Sequence, residues 1–119
     1  MAGRGAELYG HAAEDAAQLF YERRGGRVVA RRARTAAGEI DLVVAEGAVL
    51  VFVEVKARRT RAAAAAALSP RQIARIGQAA EIWMDAAGTP AGTDLRFDVV
   101  LSDRDGGIEV LENALDFSA

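Results

Sequence analysis

The chain has 119 residues, with 15 basic and 17 acidic side chains, a formal net charge of −2 and 51% apolar residues. This length and composition suit one domain over residues 1–119 and exclude a disordered tail or a charged linker. The sequence lacks the roughly 18-residue apolar run of a membrane span, the pattern of a signal peptide, and any cysteine for disulfides, zinc thiolates or nucleophilic catalysis. We therefore expect a cytoplasmic protein with no membrane partner.

The first half of the chain predicts one helix followed by three strands. The helix runs from about Glu7 to Arg24, where Gly25-Gly26 ends it, and residues 1–6 before it are expected to be flexible. The strands cover 27–34, 39–45 and 49–57, with a turn at residues 36–38 and a tight hairpin turn at Glu46-Gly47.

The second half predicts a helix and one or two further strands. Alanine favours a helix over residues 61–67, but no apolar stripe would dock it, so a mobile loop over 60–68 stays open beside a frayed helix. Ser69 and Pro70 start a firm helix that continues to about Ala87. A strand over 95–101 and an edge strand over 108–111 follow. This order predicts an α/β domain with a mixed sheet.

The basic side chains are concentrated in one part of the chain. Residues 23–75 contain twelve of the fifteen arginine and lysine residues and only four acidic ones. Such asymmetry is typical of a surface that faces phosphate groups. A solvated arginine-rich surface that reflects a bias in base composition gives the same count, so both explanations remain open.

Alternation along the two central strands separates an apolar face from a charged face. The apolar face is expected to hold Ile40, Leu42, Val44, Val51, Val53 and Val55, and the other face holds Glu39, Asp41, Glu54 and Lys56. A two-residue loop would pair Asp41 with Phe52, whereas a four-residue loop would pair Asp41 with Glu54. Both registers keep the four charged groups on one face, and a three-residue loop would bury charge among the valines.

This charged cluster predicts a divalent metal site. Two carboxylates about 5 Å apart repel each other by about 3 kcal/mol at an effective dielectric constant near 20, and Mg²⁺ or Mn²⁺ between Asp41 and Glu54 would offset that repulsion. Lys56, the only lysine beside fourteen arginines, would then orient or deprotonate a water, or stabilise charge on a phosphate. A cross-strand salt bridge is the plain structural alternative.

Five segments of the chain carry a resemblance to a known family. They are Gly10–Ala17, Gly38–Leu42, Val51–Arg58, Arg96–Val100 and Glu112–Ala114. With these segments the chain resembles the YraN-like (UPF0102-type) family of uncharacterised bacterial proteins, which belongs to the restriction-endonuclease-like PD-(D/E)xK superfamily and is similar to archaeal Holliday-junction resolvases. The hydrophobic context and the spacing of Asp41 from Glu54 make the central motif specific.

The resemblance implies a fold, a site and a reaction. The fold is a restriction-endonuclease-like, three-layer α/β/α core. Asp41 and Glu54 are implied as metal ligands and Lys56 as the catalytic lysine, with Glu14 as an accessory acid and Glu39 as a further motif residue. The implied protein is a metal-dependent nuclease, or a nuclease-fold protein that binds nucleic acid, with DNA as its partner and Mg²⁺ or Mn²⁺ as its cofactor.

Several residues outside the central motif have two interpretations. Arg58, Arg59 and Arg61 follow the third strand, and together with Arg34 they are candidate phosphate contacts or simply solvated charges. Asp98 is either a further site residue or a carboxylate satisfied by backbone donors. A module that binds nucleic acid or protein without turnover is the alternative function, and a homodimer would suit a two-fold symmetric substrate.

Overall fold

The computed structural model describes residues 2–115 and 117, with side chains from Gly10 onward. The helices and strands in this part are α1 (Ala2–Arg23), β1 (Arg27–Thr35), β2 (Gly38–Glu46), β3 (Val49–Ala57), α2 (Arg61–Ala66), α3 (Pro70–Ala87), β4 (Asp94–Ser102) and β5 (Ile108–Leu111). The sheet has the order β1-β2-β3-β4-β5, in which β3 and β4 are parallel and the other neighbours antiparallel. The predicted α/β class with a mixed sheet is confirmed.

Helices cover both faces of the sheet, which gives three layers. Helix α1 covers one face, where Ala17 and Tyr21 join a buried cluster whose sheet residues are Leu42, Val44, Val51, Val53 and Val100. Helix α3 covers the other face, where Ala79 and Ala80 pack against Ile40, Val43 and Phe52. Helix α2 lies on the α3 side, since Ala64 is buried with Ile76 and Val99.

The helix boundaries follow local signals in the sequence. Ser69 caps α3 by accepting a hydrogen bond from the amide of Gln72 at 3.1 Å, Pro70 is in the first turn, and Gly88 ends the helix in the left-handed conformation. Helix α1 starts earlier than predicted, at Ala2 rather than at about Glu7. The flexibility expected over residues 1–6 stays a prediction: the backbone of residues 2–6 belongs to α1, whereas Met1 and the side chains before Gly10 lie outside the described part of the chain. Among the described helices, none has the length and apolar character to cross a membrane.

The alanine run, for which a loop and a helix were both open, forms α2. Thr60 caps the helix by accepting a hydrogen bond from the amide of Ala63 at 3.1 Å. Ala64 is fully buried against α3 and β4. A single buried methyl group therefore docks the segment, and this contact replaces the apolar stripe that the sequence lacks.

The predicted alternation along β2 is wrong at one residue. Leu42 and Val44 contact the α1 side as expected, but Ile40 packs with Val43 and Phe52 on the α3 side. The change of face occurs at Asp41, opposite a part of β1 where Arg32 has φ +52° and the register has already shifted between Val28 and Ala30. Regular pleating therefore ends at the residue that carries the candidate site.

A buried polar network holds the C-terminal end of α1 against the sheet. Asp98 is fully buried and accepts hydrogen bonds from Tyr21 Oη at 2.6 Å, from Arg96 Nε and Nη2 at 2.9 Å each, and from the amide of Asn113 at 2.9 Å. Burial alone would raise the pKa of Asp98, but the bonds from Arg96, Tyr21 and Asn113 lower it below its ordinary value. The network extends to Glu46, Arg24 and Glu112. Asp98 is therefore a structural residue, since all four of its bonds go to this network.

We predict that Tyr21→Phe lowers the free energy of unfolding by about 1–2 kcal/mol, because a buried carboxylate loses one of its donors. Urea denaturation at neutral pH measures this loss. Thr93→Val is the matched control, since it removes a hydroxyl that donates at 2.7 Å to the carbonyl of Pro90 on the exposed surface. Equal losses in the two variants would contradict the assigned role of the network.

Candidate active site

The candidate site lies where β2 separates from β3. The paired residues of these strands end at Leu42 and Val53. Beyond them the side chain of Asp41 replaces the missing main-chain partner, because its Oδ2 accepts a hydrogen bond from the amide of Val55 at 2.7 Å. This bond fixes the Asp41 carboxylate beside β3, at the residue that follows Glu54.

The register is the second of the two that the sequence left open. The turn is Gly47-Ala48 rather than the predicted Glu46-Gly47, so a two-residue turn produces the register that was expected from a four-residue loop. Glu46 pairs with Val49 across this turn, and the register continues to Leu42 opposite Val53. Continued by one step, it sets Asp41 opposite Glu54. Gly47 has φ +58°, which explains how so short a turn closes the hairpin.

Two cations accompany the buried carboxylate of Glu54. Lys56 Nζ lies 3.3 Å from Glu54 Oε1, and Arg75 Nη2 lies 3.8 Å from Glu54 Oε2. Only 5% of Glu54 and 8% of Lys56 are exposed, whereas Arg75 reaches the carboxylate from α3 with a third of its side chain in solvent. Glu54 is therefore contacted by one cation from its own strand and one from α3.

Asp41 has no such cation at ion-pair distance among the described residues. Burial raises its pKa most, the charge of Glu54 raises it further, and the bond from the Val55 amide and the charge of Lys56 only partly oppose them, so the pKa of Asp41 rises to about 7. A carboxyl group with this pKa is partly protonated at neutral pH. Asp41 is thus the acid of the cluster whose negative charge is least compensated.

Glu14 approaches the same place from α1. It is buried, and its Oε1 accepts a hydrogen bond from Arg32 Nε at 2.7 Å and lies 3.4 Å from Arg31 Nη2. The hydrogen bond to Glu14 raises the pKa of Arg32, and the charge of Glu14 contributes to the raised pKa of Asp41. The acid implied by the resemblance therefore lies close enough to affect Asp41, although two arginines neutralise it.

Glu39 is at the rim of the cluster. Its side chain is 41% exposed and lies 3.9 Å from Arg34 Nε, while its backbone carbonyl accepts a hydrogen bond from Arg75 Nη1 at 3.3 Å. The expectation that the four charged groups share one sheet face stays a prediction. Glu54 contacts Arg75 of α3, and the charges of both Glu54 and Glu14 raise the pKa of Asp41, so Asp41 lies near both acids.

The residues present fit a divalent cation of the magnesium type. Within residues 2–115 and 117, no group of three or more acidic or histidine side chains is close enough to hold a metal by itself. Mg²⁺ commonly takes one or two carboxylates and completes its coordination with water and substrate phosphate. Asp41 and Glu54 would offer two carboxylates of this kind, and the incompletely compensated charge of Asp41 would favour a cation there.

The candidate phosphate contacts differ in how closely they are paired with carboxylates. Arg58 and Arg59 follow the strand that carries Lys56 and are exposed, with no carboxylate partner in the described part of the chain. The side chain of Arg34 is 90% exposed, and its ion pair with Glu39 is long, at 3.9 Å. Arg61, by contrast, lies 3.2 Å from Asp103 and 3.6 Å from Glu109. The first three are therefore better placed than Arg61 to contact a ligand.

Sequence reasoning missed Arg75. Its guanidinium lies across the start of β2, where a Cβ on Gly38 would overlap Nη1, and extends to Glu54. The available signal was an arginine four residues before the buried Ala79, at the edge of the apolar stripe of α3. An arginine at the edge of a buried stripe is commonly a solvated side chain that covers apolar surface, so that signal alone was weak.

Comparison with known proteins identifies related sequences along nearly the whole chain. The profile described as "Uncharacterised protein family UPF0102" matches residues 13–101. A UPF0102 protein of Cereibacter sphaeroides (strain ATCC 17025) is 49% identical over 116 residues, covering 96% of this chain and 97% of that one. UPF0102 proteins of Azorhizobium caulinodans and Maricaulis maris are 47% and 49% identical, covering 93% and 84% of this chain and 85% and 79% of theirs.

We predict that Asp41→Asn stabilises the metal-free protein at pH 8 by up to about 4 kcal/mol but leaves it unchanged at pH 4. The pKa of Asp41 is higher in the folded state than in the unfolded state, so the folded protein holds a proton between about pH 4 and 7 and loses stability as the pH rises through that window. Asparagine stays neutral and retains the acceptor for the Val55 amide.

Chemical denaturation at several pH values in the presence of a chelator measures the difference. Asp85→Asn, at an exposed position of α3, controls for the general change in charge. A stability difference between Asp41→Asn and the parent that does not vary with pH would show that Asp41 is not a strained acid.

Proposed function

Because the chain belongs to the UPF0102 family and gathers two carboxylates and a lysine where β2 and β3 separate, we propose that it is a metal-dependent nuclease of the PD-(D/E)xK type. The observation that carries the proposal is the contrast between two neighbouring acids. Glu54 is paired with cations, whereas Asp41 has no ion-pair partner among the described residues, and its burial and the charge of Glu54 raise its pKa to about 7. A divalent cation bound by both acids would remove that imbalance.

Each residue of the proposed site has a separate role. Asp41 and Glu54 would hold Mg²⁺ or Mn²⁺, which when bound supplies positive charge beside a phosphate and makes a water more acidic. Lys56, with its Nζ 3.3 Å from Glu54, would orient the attacking water or stabilise the negative charge that develops on the phosphate. Glu14 is an accessory acid in this scheme, held in place by Arg32.

The exposed arginines near the proposed site support nucleic acid as its partner. Arg58 and Arg59 directly follow the strand of Lys56, and Arg34 lies beside Glu39, so all three are close in the fold to the carboxylates. Contacts of arginine with phosphate provide affinity without reading sequence. We propose DNA as the substrate class, in keeping with the superfamily that the central motif resembles.

A second candidate is a module that binds nucleic acid without cleaving it. It is favoured by the ion pairs of Glu54 with Lys56 and Arg75 and of Glu14 with Arg31 and Arg32, which leave the cluster partly neutralised without any metal. Calorimetric titration with Mn²⁺, alone and with a DNA duplex present, separates the two. If the protein is a nuclease, it binds Mn²⁺ and Glu54→Gln abolishes that binding. If it is a non-catalytic module, the parent protein binds no Mn²⁺, even with DNA present.

We predict that Lys56→Ala slows cleavage by about 10²–10⁴-fold, since it removes a positioned proton-transfer or charge-stabilising group. Lys56→Arg retains the charge but replaces a compact ammonium with a planar fork in a buried position, so it should not restore the rate. The assay incubates duplex, single-stranded and junction DNA with each variant, with and without Mn²⁺.

Circular dichroism checks that both Lys56 variants fold, and Glu54→Ala serves as the inactive reference. Arg23→Ala, an exposed position at the far end of α1, should cleave like the parent. Hydrolysis that is equal in Lys56→Ala and the parent would refute the role of the lysine.

We predict that Arg58→Ala and Arg59→Ala each weaken DNA binding and reduce the slope of log K against log salt by about one unit, because each removes one phosphate contact. Fluorescence anisotropy in Ca²⁺, which supports binding without requiring turnover, measures both effects. Arg61→Ala should leave the slope nearly unchanged, because Arg61 is already paired with Asp103 and Glu109. A loss for Arg61 as large as for Arg58 would contradict this interface.

A further inference from the structure

The guanidinium of Arg75, beside the candidate site, has N–H donors that no hydrogen bond occupies in the described residues. Its guanidinium has five N–H donors. One hydrogen bond, from Nη1 to the carbonyl of Glu39 at 3.3 Å, and one long approach, from Nη2 to Glu54 at 3.8 Å, are its polar contacts in the described residues. About a third of the side chain is exposed. Donors therefore remain free on a cation that lies beside the proposed metal ligands.

The local backbone is shaped to admit this side chain. Gly38 has φ +131°, a conformation that favours glycine, and a Cβ there would overlap Arg75 Nη1. The glycine that opens the Gly38–Leu42 motif thus leaves a passage through which the arginine of α3 reaches the carboxylates. The bond to the Glu39 carbonyl anchors one edge of the guanidinium and leaves the other edge towards Glu54.

We propose that Arg75 is a phosphate-binding residue of the site, held by Glu54 until substrate and metal arrive. The assignment rests on the proposed function. At 3.8 Å the contact with Glu54 is a loose ion pair rather than a hydrogen bond, so Arg75 can leave it at little expense. When Glu54 serves a divalent cation, the guanidinium edge that faced it is free to donate two N–H groups to phosphate oxygens, for which the planar fork is suited.

The competing interpretation is that Arg75 only braces Glu54. The bracing role and the phosphate-binding role predict different effects on metal binding when the guanidinium is removed. A brace predicts that Arg75→Gln weakens Mn²⁺ binding by the free protein, because Glu54 loses its support. A phosphate ligand predicts that Mn²⁺ binding is unchanged or tighter, because a cation that competes for Glu54 is gone, while affinity for DNA falls.

The test compares the parent with Arg75→Gln, Arg75→Lys and the surface control Arg23→Gln. Anisotropy with a labelled DNA duplex in Ca²⁺ at several salt concentrations should show about tenfold weaker binding and a salt slope lower by about one for Arg75→Gln. Arg75→Lys should keep the slope but bind more weakly than the parent, since a single ammonium cannot donate as a fork. Calorimetry with Mn²⁺ on the free proteins should show no loss.

Each result has a defined meaning. Unchanged DNA affinity and slope in Arg75→Gln, or a loss of Mn²⁺ affinity with DNA binding intact, would overturn the assignment while leaving the proposed nuclease in place. Absence of Mn²⁺-dependent cleavage by the parent would overturn the proposed reaction, whereas the lower slope of Arg75→Gln would still support phosphate binding by Arg75. Circular dichroism confirms that the variants are folded.

Discussion

The hydrogen bond from the Val55 amide to the Asp41 carboxylate is the interaction on which the candidate site depends. Strands β2 and β3 stop pairing beyond Leu42 and Val53, and the part-buried amide of Val55 on β3 would then lack an acceptor. Asp41 satisfies it at 2.7 Å. Leaving such a group unsatisfied costs about 1–3 kcal/mol, so the bond keeps the carboxylate in place despite its unfavourable charge. The same side chain therefore satisfies the Val55 amide where the strand pairing ends and supplies the proposed metal ligand.

The surrounding charges follow from that fixed carboxylate. Glu14 comes from α1 with Arg31 and Arg32, and Glu54 comes from β3 with Lys56 and Arg75. Each of these two acids has its own cations, whereas Asp41, which lies near both acids, has an elevated pKa. Local neutralisation at both sides allows the buried acids to coexist in the absence of metal, and it leaves one position where added positive charge is still favourable.

Much of this arrangement was predictable because it depends on local patterns. The caps of α3, the hairpin and one of the two registers follow from turn residues and alternation. The face of Ile40 was not predictable, since it depends on the irregular backbone opposite Arg32 rather than on any residue of β2. Arg75 and the bonds of Asp98 to Tyr21 and Arg96 join residues far apart in sequence, and only the packing of helices on the sheet brings them together.

Lys56 and Arg75 show why one site would use two different cations on a single carboxylate. Lys56 is buried on the strand itself, and its compact ammonium approaches Glu54 to 3.3 Å where a guanidinium has little room. Arg75 arrives from α3, over a glycine, and stays partly in solvent at 3.8 Å. A buried ammonium with one close partner is suited to act at a fixed atom, whereas an exposed fork with free donors is suited to meet an incoming phosphate. The retention of a single lysine among fourteen arginines is consistent with this division, because the two positions demand different geometry rather than merely the same charge.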